Sequence, residues 1–311
     1  MNNKTLTIYI PSYNRYDLLI QQLDEIYSST KIEELNVIVS DNFSNDLRYF
    51  DLNKRYNYEN YIYKRNLFNV GGDANIVNGF LNLGSKYIWI LSDDDLLKPN
   101  SIDRIFKILN ENDLDLLYFL HDKNKDLNVF DDNINEFYHN QIKNSNGAGL
   151  ISNVIYKSDF IRESVPIGFV KTHTCFQHLA ILISAIQTKR ARSASISSKY
   201  FFKNNTQDYK PNIHYHKSFF GFILLSTLLP KDLKKDMIKN YASFWNLKHW
   251  VNFRKTKIAE DNYIYAKGLI MSNSNFYEKA SFFFNVSFWI CIKPFMPELS
   301  KSKMIKKLFN L

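Results

Sequence analysis

The 311-residue sequence predicts an α/β fold, with a mixed, mainly parallel sheet flanked by helices and a helical C-terminal region. Three observations lead there. Short apolar runs alternate with helix-spaced segments over 1–120, the pattern of a parallel sheet covered on both faces. A polar segment rich in Asp, Asn, Arg or Gly follows each run. From about 215 onward the pattern turns helical, with aromatics and lysines mixed.

The elements follow in order. Residues 5–11 (TLTIYIP) form an apolar strand ending at Pro11. Residues 15–29 place Leu18, Leu19, Leu23, Ile26 and Tyr27 at helix-face spacing. Residues 35–40 and 60–64 read as strands, and 73–83 as a helix after Gly71 and Gly72. Residues 87–91 (YIWIL) form a fully apolar strand, and Asp93, Asp94 and Asp95 follow at once. Helices at 101–110 and 175–188 and strands at 114–120, 150–157 and 193–202 complete the series. The stretch 122–148 reads as polar loop with short strands. The division is an α/β domain over 1–210, in two halves near 1–120 and 121–210. A helical region occupies 211–311.

Hydrophobic residues make up 45% and charged residues 23%, so the chain has material for a core and disorder is not the default. The net charge of +9 is dispersed and carries no nucleic-acid motif, so no nucleic-acid partner is expected. Cys175 and Cys291 lack metal-ligand spacing and read as free thiols of a reducing compartment. The polar stretch Met1 to Tyr9 runs into a strand, which reads as no secretory leader. These features point to the cytoplasm.

Ligands of such sheets bind beyond the carboxyl ends of the strands. Four polar segments stand there: Pro11 to Arg15, Asp41 to Asp46, Arg65 to Gly72, and Asp93 to Asp95. Three consecutive carboxylates repel one another unless a cation sits nearby. A hard divalent ion, Mn²⁺ or Mg²⁺, supplies that charge through oxygen ligands and shares its shell with phosphates. In an extended chain Asp93 and Asp95 project to one side. The bland alternative is an acidic turn capping the helix near Ser101.

The segments TIYIPSYNR (7–15), VIVSDNFSND (37–46), RN with N-x-GG (65–72) and WILSDDD (89–95), in this order, resemble the nucleotide-sugar-binding half of family-two GT-A glycosyltransferases. The resemblance covers roughly 5–160. It implies a GT-A-like fold, a nucleoside diphosphate sugar donor, a divalent metal and inversion at the anomeric carbon. It places Pro11, Tyr13 and Arg15 in the first nucleotide loop and Asp41 on the base. Asn66 and Gly71 to Asp73 fall in the turn approaching the nucleotide. Asp93 and Asp95 become the ends of a D-x-D motif, with Asp95 the metal ligand and Asp93 facing ribose or sugar. Asp41 could instead close an Asx turn, Arg15 a helix start, and Tyr13 could simply pack.

Inverting transfer needs a general base. The resemblance expects an acidic pair at a helix start where this sequence has Gln177 and His178. His178 is therefore the candidate base, competent near neutral pH, against a structural histidine; His173 is its competitor. His214 or His216 could complete a metal shell, and Lys203 or Lys210 could clamp a diphosphate. The run 282–296 (FFFNVSFWICIKPFM) with Lys301, Lys303, Lys306 and Lys307 suits either an interfacial membrane anchor or a buried or dimer helix. The substitution at 177–178 resembles deoxysugar transferases of O-antigen assembly, which implies a lipid-linked glycan acceptor and a place on the cytoplasmic face of the inner membrane. The rivals are a nucleotidyltransferase and an inactive sugar-binding descendant. The first lacks its Gly-rich basic loop, and Asp93 and Asp95 argue against the second.

Overall fold

A computed structural model describes residues 4–120, 126–143, 147–203 and 221–243, with Gly268, Leu269 and Ser272. The expected sites at His214, His216, Lys210 and 282–307, and the thiol of Cys291, lie outside these residues. The chain divides into two compact units, one of Met1–Thr172 with Gln177–Asp208 and one of His173–Phe176 with Tyr209–Leu311.

The first unit holds an eight-stranded sheet, in the order β3-β2-β1-β4-β7-β5-β8-β6. The strands are β1 (Leu6–Ser12), β2 (Leu35–Asp41), β3 (Tyr61–Arg65), β4 (Tyr87–Ile90), β5 (Leu116–Leu120), β6 (Asn128–Asp132), β7 (Val154–Lys157) and β8 (Ala191–Ser197). The strands β3, β2, β1 and β4 run parallel. The strand β7 is antiparallel to both β4 and β5, and β6 is antiparallel to β8. The helices are α1 (Tyr16–Tyr27), α2 (Leu52–Arg55), α3 (Gly72–Gly79), α4 (Ser101–Glu111), α5 (Ile134–Phe137), α6 (Ser158–Ile161), α7 (Val165–Val170) and α8 (Gln177–Thr188). In the second unit a helix spans Lys231–Ser243. No helix among the described residues is long and apolar enough to cross a membrane.

Side chains alternate across each strand. Leu6, Ile8 and Ile10 of β1 join Val37, Val39, Trp89 and Leu91 in one core cluster. Leu19, Leu23 and Ile26 of α1 and Ile102, Ile105, Phe106 and Leu109 of α4 close it. On the opposite face α3 lies tight on the sheet. A Cβ added at Gly79 would sit 2.5 Å from Ile90 Cδ1 and 2.7 Å from Tyr9 Cδ1. Gly79→Ala is therefore expected to cost about 2 kcal/mol by overpacking, read as a lower midpoint in urea with an unchanged slope.

Some boundaries and turns differ from the expected ones. The stretch 150–157 starts as a 3-10 turn, Ile151–Asn153, and becomes strand only at Val154. The strand expected over 193–202 ends at Ser197 and gives way to a 3-10 turn, Ser198–Tyr200. The turns and short helices over 47–55 and 158–170 were not legible, since such pieces carry too few turns for a periodic stripe. The sheet is mixed, as expected, because β7 runs antiparallel between β4 and β5.

Candidate functional site

Register brings the strand-end segments together. Ser12 of β1 stands opposite Asp41 of β2, and Asp41 opposite Arg65 of β3. Beyond the strands the segments are hydrogen-bonded in series. Asn42 N–H donates to Ser12 O at 2.9 Å, and Asn14 N–H donates to Ser44 Oγ at 2.9 Å. Asn42 Oδ1 accepts from Asn66 Nδ2 and from Val70 N–H, both at 3.0 Å, and Asn42 Nδ2 donates to Asn69 Oδ1 at 2.8 Å. The loop 66–71 thus hangs on one asparagine beside Asp41. Gly71, the residue before α3, has φ 86°, a left-handed conformation that glycine adopts without strain.

The aspartate run forms a turn, with Asp95 N–H reaching Ser92 O at 3.4 Å. The run is therefore not the extended chain in which Asp93 and Asp95 would project to one side. Asp93 is buried, 2% exposed. Its Oδ2 accepts from Ser12 Oγ at 2.7 Å and its Oδ1 from Arg15 Nη1 at 2.9 Å. The Ser12 proton is committed to this carboxylate, so Tyr49 must donate to Ser12 Oγ, 2.7 Å away. Arg15 N–H in turn donates to Tyr49 at 3.0 Å. Burial pushes the Asp93 carboxyl above its usual range, and the Arg15 charge opposes that shift. Arg15 Nη1 also meets Asp94 Oδ2 at 2.8 Å, so one guanidinium answers the repulsion between two of the three carboxylates. Asp95 is half-buried. On the outer side Ser152 Oγ accepts from Ser92 N–H at 2.9 Å, and Trp89 Nε1 donates to Ser152 O at 2.8 Å.

Asp41 is fully buried. Its Oδ1 accepts from Ser44 N–H at 2.8 Å, and its Oδ2 accepts from Tyr63 at 2.8 Å and pairs with Arg65 Nη1. Arg65 lies against the rings of Phe43 and Phe50, 4.9 and 4.7 Å from their centroids. The Asp41 carboxylate closes a turn onto Ser44, three residues on, and has no exposed surface. Phe43 within that turn has φ 66°, strain of the kind found where a loop is held for function. Tyr13 is 41% exposed, Asp73 is half-buried in the first turn of α3, and Pro11 is half-buried in β1.

The expectation that His178 acts as base is corrected. The ring is 1% exposed, and Nε2 lies 3.2 Å from the carbonyl oxygen of Gly149. A carbonyl only accepts, so Nε2 carries the hydrogen and the lone pair of the neutral ring lies on the buried Nδ1. Burial lowers the pKa from 6.5 to about 4, making the ring a weak base as well. His173 is exposed in the turn Thr172–Thr174. Because the folded pKa lies below the unfolded one, the unfolded chain binds the proton first as pH falls. The stability tied to His178 is then complete above about pH 6.5 and is lost between about 6.5 and 4, on the order of 3 kcal/mol in all. His178→Gln is expected to flatten that part of the curve in urea titrations from pH 7 to 4. An unchanged curve would place the ring in solvent.

Among the described residues no group of three or more His, Cys, Asp or Glu side chains is placed to hold a metal ion by itself. The oxygen donors of the run fit a hard divalent ion that completes its shell with a diphosphate and water. Asp93 gives its oxygens to Ser12 and Arg15. Sequence reasoning missed Ser12, Gln22, Asn42, Tyr49 and Ser152. Only Ser12 and Asn42 lay inside a flagged segment.

A family model described as Glycosyl transferase family 2 matches residues 7–225. Abequosyltransferase RfbV of Salmonella typhimurium is 31% identical over 100 residues, 31% of this chain and 30% of that relative. The match thus spans under a third of the relative's length. S. aureus TarS 1-349 in complex with UDP-GlcNAc superposes with a TM-score of 0.61 at 12% identity, covering 87% of this chain and 82% of that one. Mannosyltransferase PcManGT from Pyrobaculum calidifontis in complex with GDP-Man and Mn²⁺ gives 0.50 at 12% identity, covering 100% and 84%. At such identities the likeness concerns the fold.

Proposed function

The chain belongs to glycosyl transferase family 2 with a GT-A-type fold, and on that premise we propose that it moves one sugar from a nucleoside diphosphate sugar to a glycan acceptor, inverting the anomeric carbon. The observation that carries this reading is the hydrogen-bonded surface formed by the four strand-end segments around Asp93, Asp94 and Asp95. The TarS and PcManGT complexes hold UDP-GlcNAc and GDP-Man with Mn²⁺, which supports the same donor class here.

Pro11, Tyr13, Asn66, Gly71 and Asp73 line the nucleotide side, with the exposed ring of Tyr13 available to stack on a base. Asp41 holds the loop and Arg65 in place. Arg15 offers its guanidinium to the diphosphate, aimed by Asp93. Asp95 holds Mn²⁺ or Mg²⁺. The ion, when bound, neutralises charge on the departing diphosphate.

The acceptor we propose is a lipid-linked bacterial surface glycan, and the sugar a hexose or deoxyhexose, in keeping with the abequosyltransferase match. Contact with the cytoplasmic face of a membrane through 282–307 belongs to the same proposal. A thermal-shift panel of nucleoside diphosphate sugars with and without Mn²⁺ tests the core of it. A rise in Tm with one donor, enlarged by Mn²⁺, is expected; no response to any donor would sink the reading.

A further inference from the structure

Among the buried residues of α1, Leu19, Gln22, Leu23 and Ile26, only Gln22 is polar. A buried amide costs stability unless it is hydrogen-bonded, so its partners show what it is there for. Nε2 donates to Asp95 O at 3.2 Å, and Oε1 accepts from Leu97 N–H at 2.9 Å. Bonding the carbonyl and the amide that flank Leu96 is what a parallel neighbouring strand does. On the other edge of the same segment Lys203 N–H donates to Leu96 O and Lys98 N–H to Phe201 O, both at 2.8 Å, and Leu97 bridges to Phe202. One glutamine side chain thus stands in for the missing strand on the α1 side.

We propose that Gln22 is a positioning residue for the aspartate turn, fixing the peptide planes after Asp95 and so aiming that carboxylate. Arg15 and Ser12 grip the front of the turn while Gln22, two helical turns beyond the N-cap Arg15 of α1, grips its back. The inference rests on the reading of Asp95 as the metal ligand beside a nucleoside diphosphate.

The test titrates Mn²⁺ against UDP, GDP, CDP and dTDP by thermal shift, in the wild-type full chain, Gln22→Met and Ile26→Val. Gln22→Met keeps the volume and loses both bonds. Ile26→Val loses one buried methyl from the same helix face and controls for stability alone. Gln22→Met should need about tenfold more Mn²⁺ for half-maximal nucleotide stabilisation, the lower end of what displaced supporting residues cost a metal site. Affinity for nucleotide without metal should not change, and Ile26→Val should match the wild type. Equal Mn²⁺ dependence in all three chains overturns the inference and leaves the proposed function standing. If the wild-type chain gains nothing from any of these nucleotides with Mn²⁺, both fall. Should Gln22→Met fail to fold, Gln22→Glu, which keeps the acceptor for Leu97 and loses the donor to Asp95, is read the same way.

Discussion

Asp95→Ala is expected to remove metal-dependent donor binding and to lower turnover about a thousandfold or more. A divalent ion at a departing diphosphate is worth several kcal/mol of transition-state stabilisation, and each 1.36 kcal/mol is about a factor of ten in rate. The turn itself should survive the change. Its backbone is held by Gln22, Ser152 and the 201–203 segment, and none of those bonds uses the Asp95 carboxylate. The loss would then belong to the carboxylate and not to a collapsed loop. Asp94→Ala removes a partner of Arg15 and Ser92 at a partly exposed position, so a fall of tenfold or less is expected. Initial rates against Mn²⁺ concentration separate the two. Wild-type activity in Asp95→Ala would refute the metal assignment.

Asp41→Ala is expected to be the most destabilising single change at the site, costing about 3 kcal/mol or more. Removing one member of a buried ion pair leaves the other charge and its neighbours unsatisfied, typically at 3–5 kcal/mol. Arg65 keeps 21% side-chain exposure, which lets water soften its loss and favours the lower end. The change also frees Ser44 N–H and the Tyr63 hydroxyl, so the strained turn at Phe43 loses its anchor. Urea unfolding of Asp41→Ala, Arg65→Met and the double variant gives the coupling directly. Additive costs, with Asp41→Ala below about 1 kcal/mol, would show the pair to be dispensable. Donor binding should fall in parallel with loop order, because the Asn42 network that carries 66–71 starts at the next residue.

The strand order over 1–120, the helices α1, α3 and α4, and the four strand-end segments were legible in the chain. Each depends on a local period: two along a strand, near 3.6 along a helix, with polar punctuation where the chain leaves the sheet. Apolar runs such as 87–91 cannot stay in water, so burial of that run and the appearance of Asp93 to Asp95 at its end follow from the local order of residues. The family assignment followed from these segments in their order.

Which partner each polar side chain takes is another matter, because it is settled by residues tens of positions away. His178 sits where the family resemblance expects a base, yet Gly149 and the packing of α8 bury it. Asp41 carries a strand-end carboxylate, yet Arg65 and Tyr63 from the next strand consume it. Gln22 looks like one more surface glutamine until the fold places the Asp95 turn over it. The sequence by itself determined the sheet, its strand ends and the carboxylates displayed there, because hydrophobic periodicity acts over a few residues. Only the tertiary structure decided which of those groups face solvent, since burial and hydrogen-bond pairing are properties of segments brought together from across the chain.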